Sequence, residues 1–128
     1  TIWERWNSLT PAGMPNPDGM NSYNHYAYGS VMEFVYRRIA GIEAASAGFE
    51  KVTVRPCPCK GLARVSASYD SVRGKICAGY EEKGDEIVYF AEVPENVEAQ
   101  LILPGEEPVA LSAGKHTFVR KRQEETQE

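Results

Sequence analysis

The hydrophobic pattern of the chain changes near residue 49. Residues 24–40 place apolar side chains at helical spacing, whereas the later sequence alternates apolar and polar residues in short runs broken by Gly, Pro and Asn. The first pattern predicts one helix, with Ser22 or Asn24 as its N-terminal cap and Gly41 as its C-terminal cap. The second pattern predicts a series of short β-strands.

The predicted helix carries few charges around its circumference. A helix that is apolar on so many sides needs packing partners on two of them, and we expect the rest of this chain to supply too few. Before the helix, the stretch Pro11–Gly19 contains Pro15 and Pro17, which favours an ordered loop over a regular helix. Two neighbouring rows line the helix: Ala27, Val31, Phe34 and Arg38, and beside them His25, Tyr28, Met32, Val35 and Ile39.

Six strands are predicted after residue 49, at a spacing of about ten residues that is typical of an antiparallel sandwich. The predicted fold class is therefore mainly β, with an antiparallel β-sandwich at residues 49–122 after a helical segment at residues 1–48. Residues 123–128 are predicted to be a disordered tail. The predicted strands are Lys51–Arg55, Ala63–Tyr69, Gly74–Glu82, Glu86–Val93, Ala99–Leu103 and Lys115–Arg120.

Charge and hydropathy exclude some classes of partner. The net charge of -4 and the pI near 5.3 argue against a nucleic-acid-binding surface, which needs clustered Lys and Arg. No apolar run reaches the length of roughly 18 residues that a membrane span needs, so no membrane partner is predicted. Because the chain opens on Thr1 inside an aromatic motif, we expect the natural start to lie upstream. Periplasmic, secreted and cytoplasmic locations all stay open.

The three cysteines predict free thiols rather than a metal site. Cys57 and Cys59 are separated by a single residue, so a disulfide between them would be strained. With Cys77 the number is odd, and the two histidines are distant in sequence, which leaves no zinc-like ligand spacing. No metal is predicted.

The first candidate for chemistry is an acid between two aromatic residues. Glu4 lies in Thr-Ile-Trp-Glu-Arg-Trp-Asn, between Trp3 and Trp6. Aromatic faces suit the apolar face of a pyranose, and a carboxylate beside them can accept a proton from water that attacks the sugar. The residues alone favour the plainer alternative, in which Trp3 and Trp6 are core residues and Glu4 is a surface acid.

The second candidate is the segment Gly-Met-Asn-Ser-Tyr-Asn-His-Tyr-Ala-Tyr-Gly at residues 19–29. It concentrates Asn, His and Tyr at the start of the predicted helix. Buried polar side chains are costly unless they are paired, so this concentration indicates either a structural network or a site for sugar hydroxyls. Taken alone, a histidine at a helix start favours a structural role for His25.

These two segments closely resemble the end of the catalytic α/α barrel of bacterial α-L-rhamnosidases. The resemblance continues through Ile-Ala-Gly-Ile, Gly-Phe-Glu-Lys-Val-Thr-Val-Arg-Pro, Ala-Ser-Tyr-Asp-Ser-Val-Arg-Gly and Val-Pro-Glu-Asn-Val-Glu-Ala, so it covers nearly the whole chain. Residues 1–48 would then be the last helical segment of the barrel. The rest would be the jelly-roll-like domain that follows it and buttresses it. The tandem Pro-Cys-Pro-Cys is not required by the family pattern.

The resemblance implies roles for particular residues in an inverting hydrolysis of terminal α-L-rhamnose. Glu4 matches the general base that activates water, and His25 matches a histidine that hydrogen-bonds the rhamnose. Trp3 and Trp6 would line or support the pocket. Further candidates for substrate binding are Asn24 and Tyr28.

The resemblance also implies what this chain lacks. Inversion requires two carboxylates, and the family's general acid belongs to earlier barrel helices, so we expect the chain alone to be inactive. Its expected partners are a rhamnosylated glycan or glycoside and the remainder of its own barrel, with self-association of the isolated chain, and no cofactor is implied. The alternative is a non-catalytic carbohydrate-binding or structural sandwich, in which an exposed Tyr69, Tyr80 or Tyr89 would contact sugar.

Overall fold

The computed structural model describes residues 2–122, except for the side chain of Tyr28. The chain divides into two compact units, the first extending to Phe34 and the second beginning at Val35. The first unit contains helix α1 (Ala27–Phe34), and the described strands lie in the second. These strands are β1 (Ile42–Ala44), β2 (Lys51–Val54), β3 (Arg64–Ser71), β4 (Gly74–Lys83), β5 (Glu86–Val93), β6 (Glu98–Leu101), β7 (Val109–Leu111) and β8 (Gly114–Lys121).

The helical prediction for residues 24–40 is correct in part. The α-helix begins later, at Ala27, and residues Val35–Ala40 form a π-helical turn. The backbone N–H of Ala27 donates to Nδ1 of His25 at 3.3 Å. Neither Ser22 nor Asn24 caps the helix, because both lie too far upstream of the first helical residue.

Gly41 ends the helical segment, as predicted. Its N–H donates to the carbonyl of Tyr36, five residues back, at 2.9 Å, and its φ of 84° lies in the left-handed region. A Cβ at this position would lie 2.1 Å from the carbonyl carbon of Arg55, which is backbone and cannot move aside. Only glycine satisfies both conditions here.

The strands form two four-stranded sheets. The larger sheet is the one with the longer strands; it has the order β3-β4-β5-β8 and is antiparallel throughout. The smaller sheet has the order β1-β2-β6-β7, in which β2 and β6 are parallel and the other neighbours antiparallel. The prediction of a mainly antiparallel sandwich is confirmed, although β1 and β7 are strands that the sequence pattern did not predict.

The core lies between the two sheets, since both contribute buried apolar side chains to one cluster. In the larger sheet Tyr80 is fully buried and Tyr89 is 3% exposed, so the prediction that either could form a sugar-binding face is wrong. Both point inward because Tyr80 pairs with Tyr89 across β4 and β5, on the core face. The smaller sheet contributes Ile42, Val52, Val54, Ala99, Leu101 and Leu111.

The three cysteines are free thiols, as predicted. Cys59 donates its Sγ–H to the carbonyl of Cys57 at 3.2 Å, and its backbone N–H donates to the hydroxyl of Tyr80 at 3.0 Å. Partial burial raises the pKa of the Cys59 thiol, which favours the protonated form. The predicted tail at residues 123–128 lies outside the described residues, and the domain boundary at residue 48 stays a prediction.

Candidate active-site edge

Two segments of the first unit are joined through their backbones. The N–H of Glu4 donates to the carbonyl of Ser22 at 2.9 Å, and the N–H of His25 donates to the carbonyl of Ile2 at 3.0 Å. These bonds bring the aromatic motif at residues 2–7 against the polar motif at residues 19–29. The two sequence motifs therefore form one local structure.

The Glu4 side chain is exposed, and one of its two carboxylate oxygens is hydrogen-bonded. Its Oε2 accepts a hydrogen bond from the backbone N–H of Ser22 at 2.8 Å. Its Oε1 accepts no hydrogen bond from a described residue. The carboxylate is thus oriented by a backbone donor while one oxygen remains able to take a proton.

The two tryptophans of the motif differ in environment. Trp3 is 42% exposed and meets the ring of Tyr23 edge-on, with the centroids 6.4 Å apart and the planes at 89°. This is a favourable geometry for aromatic rings because the positive edge of one faces the negative face of the other. Trp6 is fully exposed, and its indole presents apolar surface on the same short segment as Glu4.

His25 is half-buried, and its ring orientation is set by neighbouring residues. Its Nδ1 accepts from the N–H of Ala27, and its ring packs against Tyr26 at a centroid distance of 4.4 Å. In a neutral imidazole with Nδ1 as acceptor, Nε2 carries the proton and is a donor. His25 can therefore donate a hydrogen bond to a hydroxyl oxygen.

The two remaining predicted residues are Asn24 and Tyr28. Asn24 is exposed, and its backbone N–H donates to Oγ of Ser22 at 3.4 Å. The backbone of Tyr28 belongs to α1, but its side chain lies outside the described part of the chain.

The loop between the two motifs is ordered by Ser8, which sequence reasoning missed. Ser8 is fully buried, and its carbonyl accepts from Nδ2 of Asn21 at 2.7 Å, from the N–H of Asn16 at 3.0 Å and from the hydroxyl of Tyr23 at 3.3 Å. The acceptor is a backbone atom, so no side-chain pattern points to it. The predicted ordered loop at Pro11–Gly19 is confirmed: it contains no regular helix.

Within the described residues, no three His, Cys, Asp or Glu side chains come close enough together to hold a metal ion. Likewise, none of the described helices combines the length and apolar character that crossing a membrane requires.

Comparison with known proteins assigns both parts of the chain. Residues 41–118, more than half of the chain, match the bacterial alpha-L-rhamnosidase C-terminal domain, and residues 1–39 match the bacterial alpha-L-rhamnosidase 6 hairpin glycosidase domain. The chain is 38% identical over 120 residues to an alpha-L-rhamnosidase of Streptomyces avermitilis, covering 94% of this chain and 12% of that protein. It thus spans about an eighth of the length of that curated relative.

Solved structures agree with this assignment. The native α-L-rhamnosidase of Aspergillus terreus superposes with a TM-score of 0.81 at 34% identity, over 93% of this chain and 14% of that one. The Streptomyces avermitilis α-L-rhamnosidase complexed with L-rhamnose gives 0.82 at 31% identity, over 94% of this chain and 14% of that one. This chain therefore belongs to the bacterial α-L-rhamnosidase C-terminal domain family.

Proposed function

We propose that this chain is the C-terminal part of an α-L-rhamnosidase and that Glu4 is its general base in an inverting hydrolysis. The observation that carries the proposal is the orientation of Glu4, whose Oε2 is fixed by the N–H of Ser22 at 2.8 Å. A base that removes a proton from water must be positioned before the water attacks. The free Oε1 is the atom that takes this proton.

The neighbours of Glu4 suit a sugar substrate. Trp3 and Trp6 expose indole surface that can pack on the C–H face of a pyranose. His25 supplies a donor at Nε2 for a rhamnose hydroxyl, with its ring orientation set by Ala27 and Tyr26. Asn24 and Tyr28 are further candidates for substrate binding.

The substrate class is a glycan or glycoside with terminal α-L-rhamnose. Inversion needs a second carboxyl group about 6.5–9.5 Å from the base to protonate the leaving oxygen. We assign that general acid to a part of the enzyme outside this chain, so the chain alone does not turn over substrate. No cofactor enters this chemistry.

The remainder of the catalytic barrel is the expected partner of the first unit. Many of its large apolar side chains are exposed, and we expect them to form the surface that contacts the barrel. In the isolated chain the same surface supports self-association. The β-sandwich then acts as a buttress that follows the barrel. The most exposed apolar side chains of this unit are Trp6, Met14, Met20, Tyr26 and Phe34.

Replacing Glu4 by Gln in the full-length enzyme tests the proposal. Gln keeps an oxygen for the Ser22 N–H but cannot accept a proton, so turnover should fall by about 10²- to 10⁴-fold with the fold intact. The matched control is Glu107→Gln, since Glu107 is an exposed glutamate of the sandwich and outside the proposed site. Near-normal hydrolysis by the Glu4→Gln enzyme would refute the assignment.

A further inference from the structure

One corner of the sandwich exposes a stacked aromatic pair. We call Phe49, Tyr69, Val72 and Arg73 the aromatic corner. The rings of Phe49 and Tyr69 stack with their centroids 4.7 Å apart and their planes at 29°. Tyr69 is nevertheless 42% exposed and Val72 is 89% exposed. Stacking on Phe49 occupies one face of the Tyr69 ring, so the exposed part of the ring is available to a ligand.

The backbone at Phe49 is strained. Its φ of 56° lies in the left-handed region, directly after Gly48 with a φ of 65°. A bulky residue rarely adopts this conformation, and such strain persists only where the surroundings enforce it. Two hydrogen bonds close the loop that carries Phe49. The N–H of Lys51 donates to Oγ of Ser46 at 2.8 Å, and the N–H of Ala45 donates to the carbonyl of Lys51 at 2.8 Å. The aromatic pair is therefore oriented before any ligand arrives.

Polar groups lie in the turn that follows Tyr69 along the chain. The strand that carries Tyr69 ends in a tight turn, in which Oγ of Ser71 donates to the carbonyl of Gly74 at 2.7 Å and accepts from the N–H of Arg73 at 3.1 Å. Nη1 of Arg73 donates to the carbonyl of Asn96 at 3.4 Å. A guanidinium has five N–H donors in a fixed fork, so Arg73, four residues after Tyr69, can donate to hydroxyl oxygens as well as to Asn96.

We propose that the aromatic corner is a non-catalytic carbohydrate site that binds one pyranose of a rhamnosylated glycan. The C–H face of the sugar packs on Tyr69, and hydroxyl groups accept hydrogen bonds from Arg73. The identity of the sugar rests on the proposed function of the first unit, whereas the geometry of the site does not involve Glu4. Tyr69 is also the one tyrosine of the three weighed from the sequence that reaches the surface.

Amide chemical-shift titration of the 128-residue chain with methyl α-L-rhamnopyranoside tests this site. We expect saturable shifts at residues 48–50 and 69–74, with a dissociation constant in the millimolar range. Tyr69→Ala should weaken binding at least about tenfold, and Tyr69→Phe, which keeps the ring, should change it by less than about threefold. Val119→Ala is the control, because Val119 is also half-exposed but lies on β8, at the opposite edge of the sheet from β3.

Two results would overturn the proposal. The first is an absence of shifts at the aromatic corner, including the case in which only residues 2–25 respond. The second is equal binding by Tyr69→Ala and the unchanged chain. Glu4→Gln should leave the corner titration unchanged, so a failure of this site and a failure of the catalytic assignment would be seen in different experiments.

Discussion

Glu4 and Ser22 are joined by two hydrogen bonds of opposite direction. The backbone N–H of Glu4 donates to the carbonyl of Ser22 at 2.9 Å, and the backbone N–H of Ser22 donates to the Glu4 carboxylate at 2.8 Å. The same residue thus fixes both the main chain and the side chain of the proposed base. Because both groups on Ser22 are backbone atoms, the orientation of Glu4 depends on the path of the chain at residue 22.

The first prediction concerns that donor. In the full-length enzyme, Ser22→Pro removes the N–H that holds Glu4, and the turnover number should fall by about 10- to 100-fold, the scale expected when a catalytic group loses its positioning. Ser22→Ala keeps the N–H and should retain near-normal turnover. Steady-state kinetics would show the difference in kcat, and thermal melts of both variants would establish that they are folded. Equal kcat for the two variants would contradict the role given to the backbone donor.

The second prediction compares two glycines with nearly identical φ. Gly41 has a φ of 84° and Gly61 a φ of 86°, but a Cβ at Gly41 would lie 2.1 Å from the backbone of Arg55, whereas none of the described atoms lies within 4 Å at Gly61. Gly61→Ala should cost about 1–2 kcal/mol of unfolding free energy from backbone strain alone. Gly41→Ala should cost more than about 3 kcal/mol, because the backbone of Arg55 must also shift.

Urea or thermal unfolding of the two glycine variants measures this difference. If the two alanine variants were equally stable, the close approach of Gly41 to Arg55 would not hold in solution.

The sequence predicted those elements whose signals are local. Strand β5 (Glu86–Val93) was predicted with its exact bounds, because β-branched and aromatic residues lie between the Gly84 turn and Pro94. Strands β1 and β7 were missed, since three residues are too few to show alternation.

Features that depend on distant contacts could not be read from the sequence. The π-helical turn at Val35–Ala40 ends where the N–H of Gly41 reaches Tyr36, and Gly41 is also constrained by its approach to Arg55, fourteen residues away. The parallel pairing of β2 with β6 joins segments more than forty residues apart. Tyr89 alternates with half-buried neighbours, whereas Tyr80 directly follows the buried Gly79, and in neither strand does the sequence pattern alone tell which face is the core.

The sequence predicted which side chains belong to the candidate site, but backbone atoms hold several of those side chains in place. The carbonyl of Ser8 and the N–H of Ser22 hold Asn21, Tyr23 and Glu4, and every residue except proline carries both groups. Their importance follows from where the chain places them, which the residue types at those positions do not specify.

The third prediction concerns the buried hydroxyl of Tyr80. Tyr80→Phe leaves the N–H of Cys59 without its 3.0 Å acceptor, and the unfolding free energy should drop by about 1–2 kcal/mol at neutral pH. Tyr69→Phe is the control, because Tyr69 is 42% exposed, and it should change stability by less than about 0.5 kcal/mol. Equal effects of the two substitutions would count against the buried hydrogen bond.

The same tyrosine predicts a pH dependence. Burial raises the pKa of Tyr80 above its ordinary value of 10.0, so the folded state holds the phenol proton more tightly than the unfolded state. The resulting stability is fully present below pH 10.0 and is lost as the pH rises through the higher pKa of the folded state. As the pH rises above 10.0, the unfolding free energy of the unchanged chain should therefore fall more steeply than that of the Tyr80→Phe variant. Parallel curves would show that Tyr80 does not titrate differently in the two states.

The fourth prediction concerns the apolar surface of the first unit. With Trp6 fully exposed, Met20 85% exposed and Tyr26 83% exposed, the isolated chain should self-associate as its concentration rises. Sedimentation velocity over a roughly hundredfold concentration range would measure this. Replacing the three residues by Ser should shift the equilibrium toward monomer, and a chain that is monomeric throughout the range would contradict the prediction.

The most direct test of the central claim is hydrolysis of p-nitrophenyl α-L-rhamnoside by this chain and by the full-length enzyme, side by side. We predict activity in the full-length enzyme alone, because our proposal assigns the base to Glu4 and the acid to a part of the enzyme outside this chain. Turnover by the isolated chain, or none by either protein, would contradict the account.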